Sequence, residues 1–461
     1  MLSPRPLAPI DRALVALAAV VLGFTLQISD GFYRPFAYPS FCLAIAFAVG
    51  GLGRAGSRFV GTGPSWPTVG LLSAGLGGNF IMLATARPAY YLADRWPSHH
   101  PWYLAGIAAA AALTLLTGID ERRRRHLWFP ALLGVYAGLG AWLIRSSPDP
   151  YIDVMTVQRA AIEAVAHGHS PYSIAFRNIY GGDVFYGANV VKGSLVQFGL
   201  PYPPLSLLMA LPGQLALGDL RYAELLALIV GCGAIGYTTR GRAAPLAAAL
   251  VLFTPRTFFV LEQGWTESFA ICWLGLTVAA AASRRQTRWL MLGLLCAVKQ
   301  HMIVALSFAS WLTDRPGDTA QRNALTLRAV GVATALTLPF FIWDPSGFWR
   351  SVVWLQFLEP MRPDSLSMLS LMVHAGWTVP RAVQTLAPFA ALALGLVLSF
   401  RCAPRSPAGF ALAIGVSFFL MFAFSKKAFC NYYFFVLAGL SAGVATSEEN
   451  QENELNQPLQ C

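Results

Sequence analysis

The chain runs SSPDPYIDVMTVQRAAIEAVAHGHSPYS at 146–173 and LVQFGLPYPPL at 195–205. This stretch carries acids, histidines, tyrosines and prolines, whereas the sequence on both sides is dominated by apolar runs. A bilayer crossing takes about 20 apolar residues. The fold therefore turns on whether residues 146–204 form a water-exposed loop between such crossings.

Composition answers in favour of that loop. Hydrophobic residues make up 56% of the chain and charged ones 12%, with a mean hydropathy of +0.54, against about 25% charged in an ordinary soluble domain. An all-α polytopic membrane protein is expected. The apolar run 13–28 is long for a signal core and lacks a clear small-residue cleavage site, so it reads as the first span. The seven cysteines are scattered and show no CxxC spacing, which predicts neither a disulfide framework nor a zinc site. A net charge of +11 is divided among short clusters between the spans. That distribution fits anchoring of helices at a cytoplasmic surface and excludes a nucleic-acid face.

Working outward, spans are expected at 12–29, 37–53, 68–86, 103–118 and 126–145. The basic run at 122–125 is the strongest cytoplasmic anchor, and it places residue 146 onward outside. Within the loop, residues 153–167 read as an amphipathic helix with Asp153, Thr156, Glu163 and His167 on a polar side facing a cavity. Gly168 and Pro171 end it. The apolar run after Pro204 is too short to cross before Pro212 and Gly213, so it is expected to be re-entrant and external. Crossings then follow at 221–239, 243–261 and 267–283, which keeps Arg240, Arg242, Arg284 and Arg285 on the cytoplasmic side. Residues 289–312 carry Lys299, Gln300 and His301 near the middle. Two half-helices turning at Lys299 keep the following arginines inside and lift the polar trio out of lipid, as a cavity-lining break would. Further spans are expected at 327–343, 381–400, 408–424 and 431–446, with a second external segment at 344–379 and a disordered cytoplasmic tail at 447–461.

This topology gathers Asp153, His167, Tyr202, Glu267, Lys299, His301, Arg362, Lys426, Lys427 and Tyr432 at one external face. Cations there run against the inside preference for positive charge, and an anionic ligand such as a lipid-linked phosphate would account for them. Headgroup snorkelling by Lys426 and Lys427, a local pair of Arg362 with Asp364 or Glu359, and a helix N-terminal role for Asp153 are the structural alternatives. Glu262 and Glu267 flank the turn EQGWTE and could be loop caps. No nucleotide-binding motif or serine triad is visible.

The order of an early external Asp (YIDVMTVQ), then YPPL at 202–205, then GWTES, then GLLCAVKQ at 293–300 resembles the GT-C glycosyltransferases. It is most similar to glycosyltransferase family 87, the polyprenyl-phosphate-mannose-dependent mannosyltransferases. The resemblance covers residues from about 127 to the last span. It implies a GT-C-like transmembrane bundle at 126–446 with external amphipathic and re-entrant helices and external loops at 146–220 and 344–379; the four-helix extension at 1–125 and the poorly matched segment 344–379 depart from the family pattern.

By that resemblance Asp153 is the catalytic base and Lys299 the basic residue of the GLxxAxK-like stretch that meets the donor phosphate. The external placement of the polar groups adds His301, Arg362, Lys426 and Lys427 as expected phosphate-binding residues and Tyr202, Gln263, Glu267, His167 and Tyr432 as expected substrate contacts. The turn reads EQGWTES where the family has a GQxN-like sequence. The implied partners are a polyprenyl-phosphate sugar donor, a lipid or glycan acceptor and membrane lipids, at the outer face of a bacterial plasma membrane. No cofactor is expected, and no DxD-like spacing calls for a metal. A transporter or lipid-linked-sugar flippase is the alternative from another class, although no paired repeat is visible. A noncatalytic scaffold is a third.

Overall fold

A computed structural model describes residues 12–52, 66–92, 96–183, 185–187, 189–315 and 317–447. The tail expected after residue 447 lies outside them. Four helices come first: α1 (Arg12–Ser29), α2 (Tyr38–Gly50), α3 (Trp66–Thr85) and α4 (Trp96–Ile119). A π-turn at Arg124–Trp128 leads into α5 (Phe129–Ser146), and the loop that follows contains α6 (Asp153–Ala166) and α7 (Pro204–Leu217). The chain continues through α8 (Arg221–Gly236), α9 (Ala243–Leu252), α10 (Thr257–Glu262), α11 (Glu267–Ala282) and α12 (Arg288–Val298). After a 3₁₀ segment at Gln300–Leu312 come α13 (Thr319–Trp343), the short α14 (Pro345–Phe348), α15 (Leu355–Leu358) and α16 (Met368–His374), and then α17 (Arg381–Cys402), α18 (Pro407–Ala423) and α19 (Cys430–Thr446).

Six helical segments among the described residues are long and apolar enough to cross a membrane: 12–29, 66–85, 100–119, 124–146, 319–343 and 381–402. The chain is thus an all-α polytopic membrane protein in its main body. Shorter apolar helices, including α9, α11, α18 and α19, are nearly wholly buried and fill the centre of the bundle. By contrast α13 buries only Leu325 and Ala329; Leu327, Ile342 and, on α17, Leu386 remain more than 60% exposed. Such outward apolar belts are costly in water and fitting in lipid. Residues of α1 to α4 belong to the same hydrophobic core as α18 and α19, and α1 packs on α19 while α3 packs on α9.

Hydrogen bonds sort the loops onto two faces. On one, Arg125 donates to the carbonyls of Thr239 (2.5 Å) and Tyr237 (3.3 Å), and the Thr239 hydroxyl donates to Ala445 at the end of α19. On the other, Ser147 donates to Glu262, Arg221 to the Glu262 carbonyl, and the Arg362 amide to the carbonyl of Lys426. We call these the arginine face and the pocket face. Both ends of α7 lie at the pocket face, since Tyr202 precedes it beside Lys299 and Arg221 follows it. The segment therefore begins and ends on one face, as the expected placement requires.

Segment 288–314 also turns back. A continuous α-helix would separate Arg288 and Asp314, 26 positions apart, by about 39 Å, yet they form a bidentate ion pair at 2.6 Å. The turn is at Lys299, whose backbone is extended (φ −146°, ψ 143°). The returning limb is a 3₁₀ helix of 13 residues, tighter than the expected half-helix and long for that form.

Four other expectations need correction. The span 243–261 is interrupted between α9 and α10, because Pro255 lacks the amide needed to continue the helix. The helix expected from 327 begins at Thr319, where the Asp318 side chain accepts from the Gln321 amide and caps the first turn. The external segment 344–379 is not plain loop: it holds a π-turn and α14 to α16. The part of the expected loop 146–204 that lies between α6 and α7 folds into a small antiparallel sheet, β1 (Phe176–Arg177), β2 (Val191–Lys192) and β3 (Leu195–Val196), in the order β1-β3-β2. Its β2–β3 hairpin turns at Gly193 and Ser194, with Gly193 at φ +62°, as a two-residue turn with a leading glycine requires. The side chains of Phe176, Tyr186, Val196 and Phe198 close a separate small core against Val157 of α6 and Leu355 of α15.

Helices α8 and α11 cross at Gly231 and Gly275, where a Cβ on Gly275 would stand 2.3 Å from the Gly231 carbonyl oxygen. Overpacking of this kind costs about 1–3 kcal/mol. Gly275→Ala is expected to lower the melting temperature of the detergent-solubilised chain, followed by tryptophan fluorescence. Gly134→Ala, with open space around the added methyl, should leave it unchanged or slightly raised.

Candidate functional site

A cavity of about 480 Å³ opens at the pocket face, within the usual range for small-molecule sites. Asp153, the first residue of α6, lines it. Helix α6 is fixed over the turn between α10 and α11: Met155 packs where Gly264 leaves no room for a side chain, and Gln158 donates to the Gly264 carbonyl at 2.9 Å. The Asp153 carboxylate accepts from the hydroxyl of Tyr186 at 2.9 Å and from that of Tyr180 at 3.4 Å.

Burial raises the Asp153 carboxyl above its ordinary value. Lys427 and the Tyr186 hydrogen bond oppose that shift, and Glu359 adds to it. The Tyr186 phenol is itself pushed up by burial and by the neighbouring carboxylate, so it remains a donor.

The cationic wall comes from the loop between α18 and α19. Lys427 pairs with Glu359 at 2.7 Å. Burial pulls its ammonium down, but Glu359, Tyr432 and Asp153 outweigh that effect and hold it above the usual lysine value. Lys426 donates to the Glu359 main-chain carbonyl at 2.6 Å. Its charge has no carboxylate partner within ion-pair distance among the described residues. Arg362 is neutralised by Asp364 at 2.7 Å and lies over the rings of Phe185 and Phe429.

On the deep side, Lys299 forms an ion pair with Glu267 at the start of α11, with its Nζ 5.1 Å from the Tyr202 ring centroid and 5.8 Å from that of Tyr432. His301 meets Phe418 and Phe422 edge-on. Gln263, next to Glu262, donates to its carboxylate at 3.2 Å.

The cavity thus collects Asp153, Tyr202, Gln263, Lys299, His301, Arg362, Lys426, Lys427 and Tyr432 from the residues expected at the site. Glu267 reaches it only through Lys299. His167 does not belong to it: it lies 14 positions beyond Asp153, about 21 Å along a helix, where it is exposed and bonded to the carbonyl of Glu163. The expected common polar side of α6 is therefore divided between cavity and solvent.

Sequence reading missed Tyr180 and Tyr186, which sit in an irregular loop with no periodicity, and the pairing of Glu359 with Lys427. It also missed Phe32, Tyr90 and Tyr91, which line the cavity from the N-terminal unit. Among the described residues, no group of three or more His, Cys, Asp or Glu side chains is placed to hold a metal ion. Comparison with family models, curated proteins and solved structures returned no match.

Chemically, the site offers a carboxylate with raised proton affinity facing ammonium groups across a partly apolar cavity. Lys299 and Glu267 are almost fully buried, and removing one partner of a buried pair costs about 3–5 kcal/mol. Glu267→Ala is expected to destabilise the chain by that order, and the Glu267→Met/Lys299→Met double variant to recover most of the loss. Thermal unfolding in detergent measures both.

Proposed function

We propose that this chain is an integral-membrane glycosyltransferase. It moves a sugar from a polyprenyl-phosphate donor to a hydroxyl of a lipid or glycan acceptor, with inversion at the anomeric carbon; mannose is the sugar the resemblance implies. The observation that carries this reading is that Asp153 lines one cavity with Lys426 and Lys427 and is electrostatically coupled to Lys427. The arginine face is cytoplasmic by the positive-inside rule. The cavity therefore opens at the outer surface of the membrane, taken as a bacterial plasma membrane.

Asp153 takes the proton of the acceptor hydroxyl as its oxygen attacks the anomeric carbon. The bond from that carbon to the phosphate oxygen breaks, and the electron pair leaves with the polyprenyl phosphate. Lys426 and Lys427 meet the charge developing on that phosphate. Such a leaving group departs without a proton, so one carboxylate suffices, unlike the pair in hydrolytic glycosidases. Tyr186 and Tyr180 orient the base, and burial makes it a better proton acceptor than an exposed aspartate.

Asp153→Asn is expected to lower transfer from a polyprenyl-phosphate sugar, followed by mass spectrometry of membranes, by about 10²–10⁴-fold, the usual contribution of a general base. Near-normal turnover would remove Asp153 from that role. Because the base works deprotonated, the rate should fall as pH drops through the Asp153 pKa, which lies above the ordinary aspartate value of about 3.9. Lys427→Met removes a cation that favours the carboxylate and should move this acid limb to higher pH. A limb that stays in place would argue against the coupling.

A further inference from the structure

The segment at 86–92, between α3 and α4, is strapped across the pocket face by contacts distant in sequence. The Glu262 carboxylate accepts from the backbone amides of Tyr90 and Tyr91, each at 2.7 Å. Asp30 bonds the Tyr90 hydroxyl at 2.5 Å and pairs with Arg256. Arg256 in turn donates to the carbonyl of Arg87. Asp30 holds an unusual positive φ of 56° for this arrangement, and the next residue, Gly31, lies against the first backbone atoms of α19 with no space for a Cβ. Four contacts, braced by the Asp30–Arg256 pair, thus fix a short connection that carries no span of its own.

That strap brings two tyrosines to the cavity wall beside Tyr151 and Trp265. The Tyr90 ring lies 4.7 Å from Phe259, which meets Trp265 edge-on at 5.3 Å. Tyr151 meets Tyr180 edge-on, and Tyr180 reaches Asp153. These rings are fixed in place but left open: Tyr90 is 41% exposed, Tyr91 37% and Tyr151 54%. The charge at this end is already satisfied, because Arg256 is paired with Asp30 and Arg362 with Asp364. Of the described lysines and arginines lining the cavity, the one without a carboxylate partner, Lys426, is held at the Glu359 main chain instead.

We infer that Tyr90, Tyr91, Tyr151 and Trp265 form a subsite for a neutral polyhydroxylated ring, the glycan or polyol part of the acceptor. Aromatic faces pack on the C–H faces of such a ring, while the Tyr90 and Tyr151 hydroxyls, which donate to Asp30 and to the Ile179 carbonyl, and the side-chain carbonyl of Gln263 are left to accept from its hydroxyls. Among the described residues that line the cavity at this end, an anionic headgroup would find no uncompensated cation; Arg87 of the strap is outside that lining and donates to the Leu92 carbonyl. The N-terminal unit, through Tyr90 and Tyr91, then selects the acceptor. Calling the ligand an acceptor rests on the transferase reading; the binding of a sugar ring does not.

The test uses the full chain in lipid nanodiscs, titrated separately with methyl α-mannopyranoside and with inorganic phosphate and followed by ligand-observed NMR. The Tyr91→Ala/Tyr151→Ala double variant is expected to weaken the glycoside at least about tenfold and to leave phosphate within about twofold. Tyr91→Phe, which keeps the ring, should bind the glycoside nearly as the parent does. Lys426→Gln should weaken phosphate and spare the glycoside. Absence of glycoside binding in the parent chain, or equal binding by the double variant, overturns the subsite. Phosphate binding that ignores Lys426→Gln counts against the donor assignment instead and leaves the ring subsite standing on its own arm. Should the double variant unfold, as judged by its melting curve, Tyr91→Ala alone is read against Tyr91→Phe; equal glycoside affinities of those two also overturn the subsite.

Discussion

The ion pair between Lys299 and Glu267 is the constraint around which the pocket is built. Both side chains are about 96–97% removed from solvent, a situation that costs several kcal/mol of desolvation per ion and is offset only where the charges meet closely. The pair ties the tip of a broken, returning segment to the first turn of α11. With the tip held there, the extended backbone at Lys299 stays at the edge of the cavity and not in lipid, the one setting in which irregular backbone at membrane depth is tolerated. Tyr202 and Tyr432 pack around the same ammonium, so the approach to α7 and the start of α19 are positioned by it as well.

Glu262, only five positions earlier, organises the other half of the pocket face. Its carboxylate accepts from Ser147, from the amides of Tyr90 and Tyr91, and from Gln263, so one buried acid joins the end of α5, the strap and the turn under α6. The two glutamates play different parts. Glu267 neutralises a cation inside the bundle, whereas Glu262 satisfies backbone donors that would otherwise be buried without partners. Between them they set the depth of the cavity and the place of Asp153 above it.

Much of this was legible in the sequence. The apolar runs marked the long helices, and the period of polar residues marked α6 to within one residue of its end. The interrupting Lys-Gln-His in 289–312 marked a break, because a long apolar run cannot carry such groups through hydrocarbon at low cost. Counting basic loops predicted that α7 begins and ends on one face, as it does. The identity of the site residues was legible where a charge stood against the expected sidedness, as with Lys299, Lys426 and Lys427. It was not legible for Tyr186, Glu359 or Tyr91, which carry no such anomaly.

The sequence by itself determined which segments are long, apolar helices and which run is broken, at Lys299. Hydropathy, helical period, proline and charge are local properties of the chain, and the bilayer translates them directly into position. Tertiary structure alone decided the partners: that Glu262 holds Tyr90 and Tyr91 from 172 and 171 positions away, that Lys427 meets Glu359, and that His167 points to water while Asp153 points to the cavity. A pairing of that kind depends on how helices cross, as at Gly231 and Gly275. Crossing geometry is a property of two packed surfaces, which neither segment carries in its own sequence.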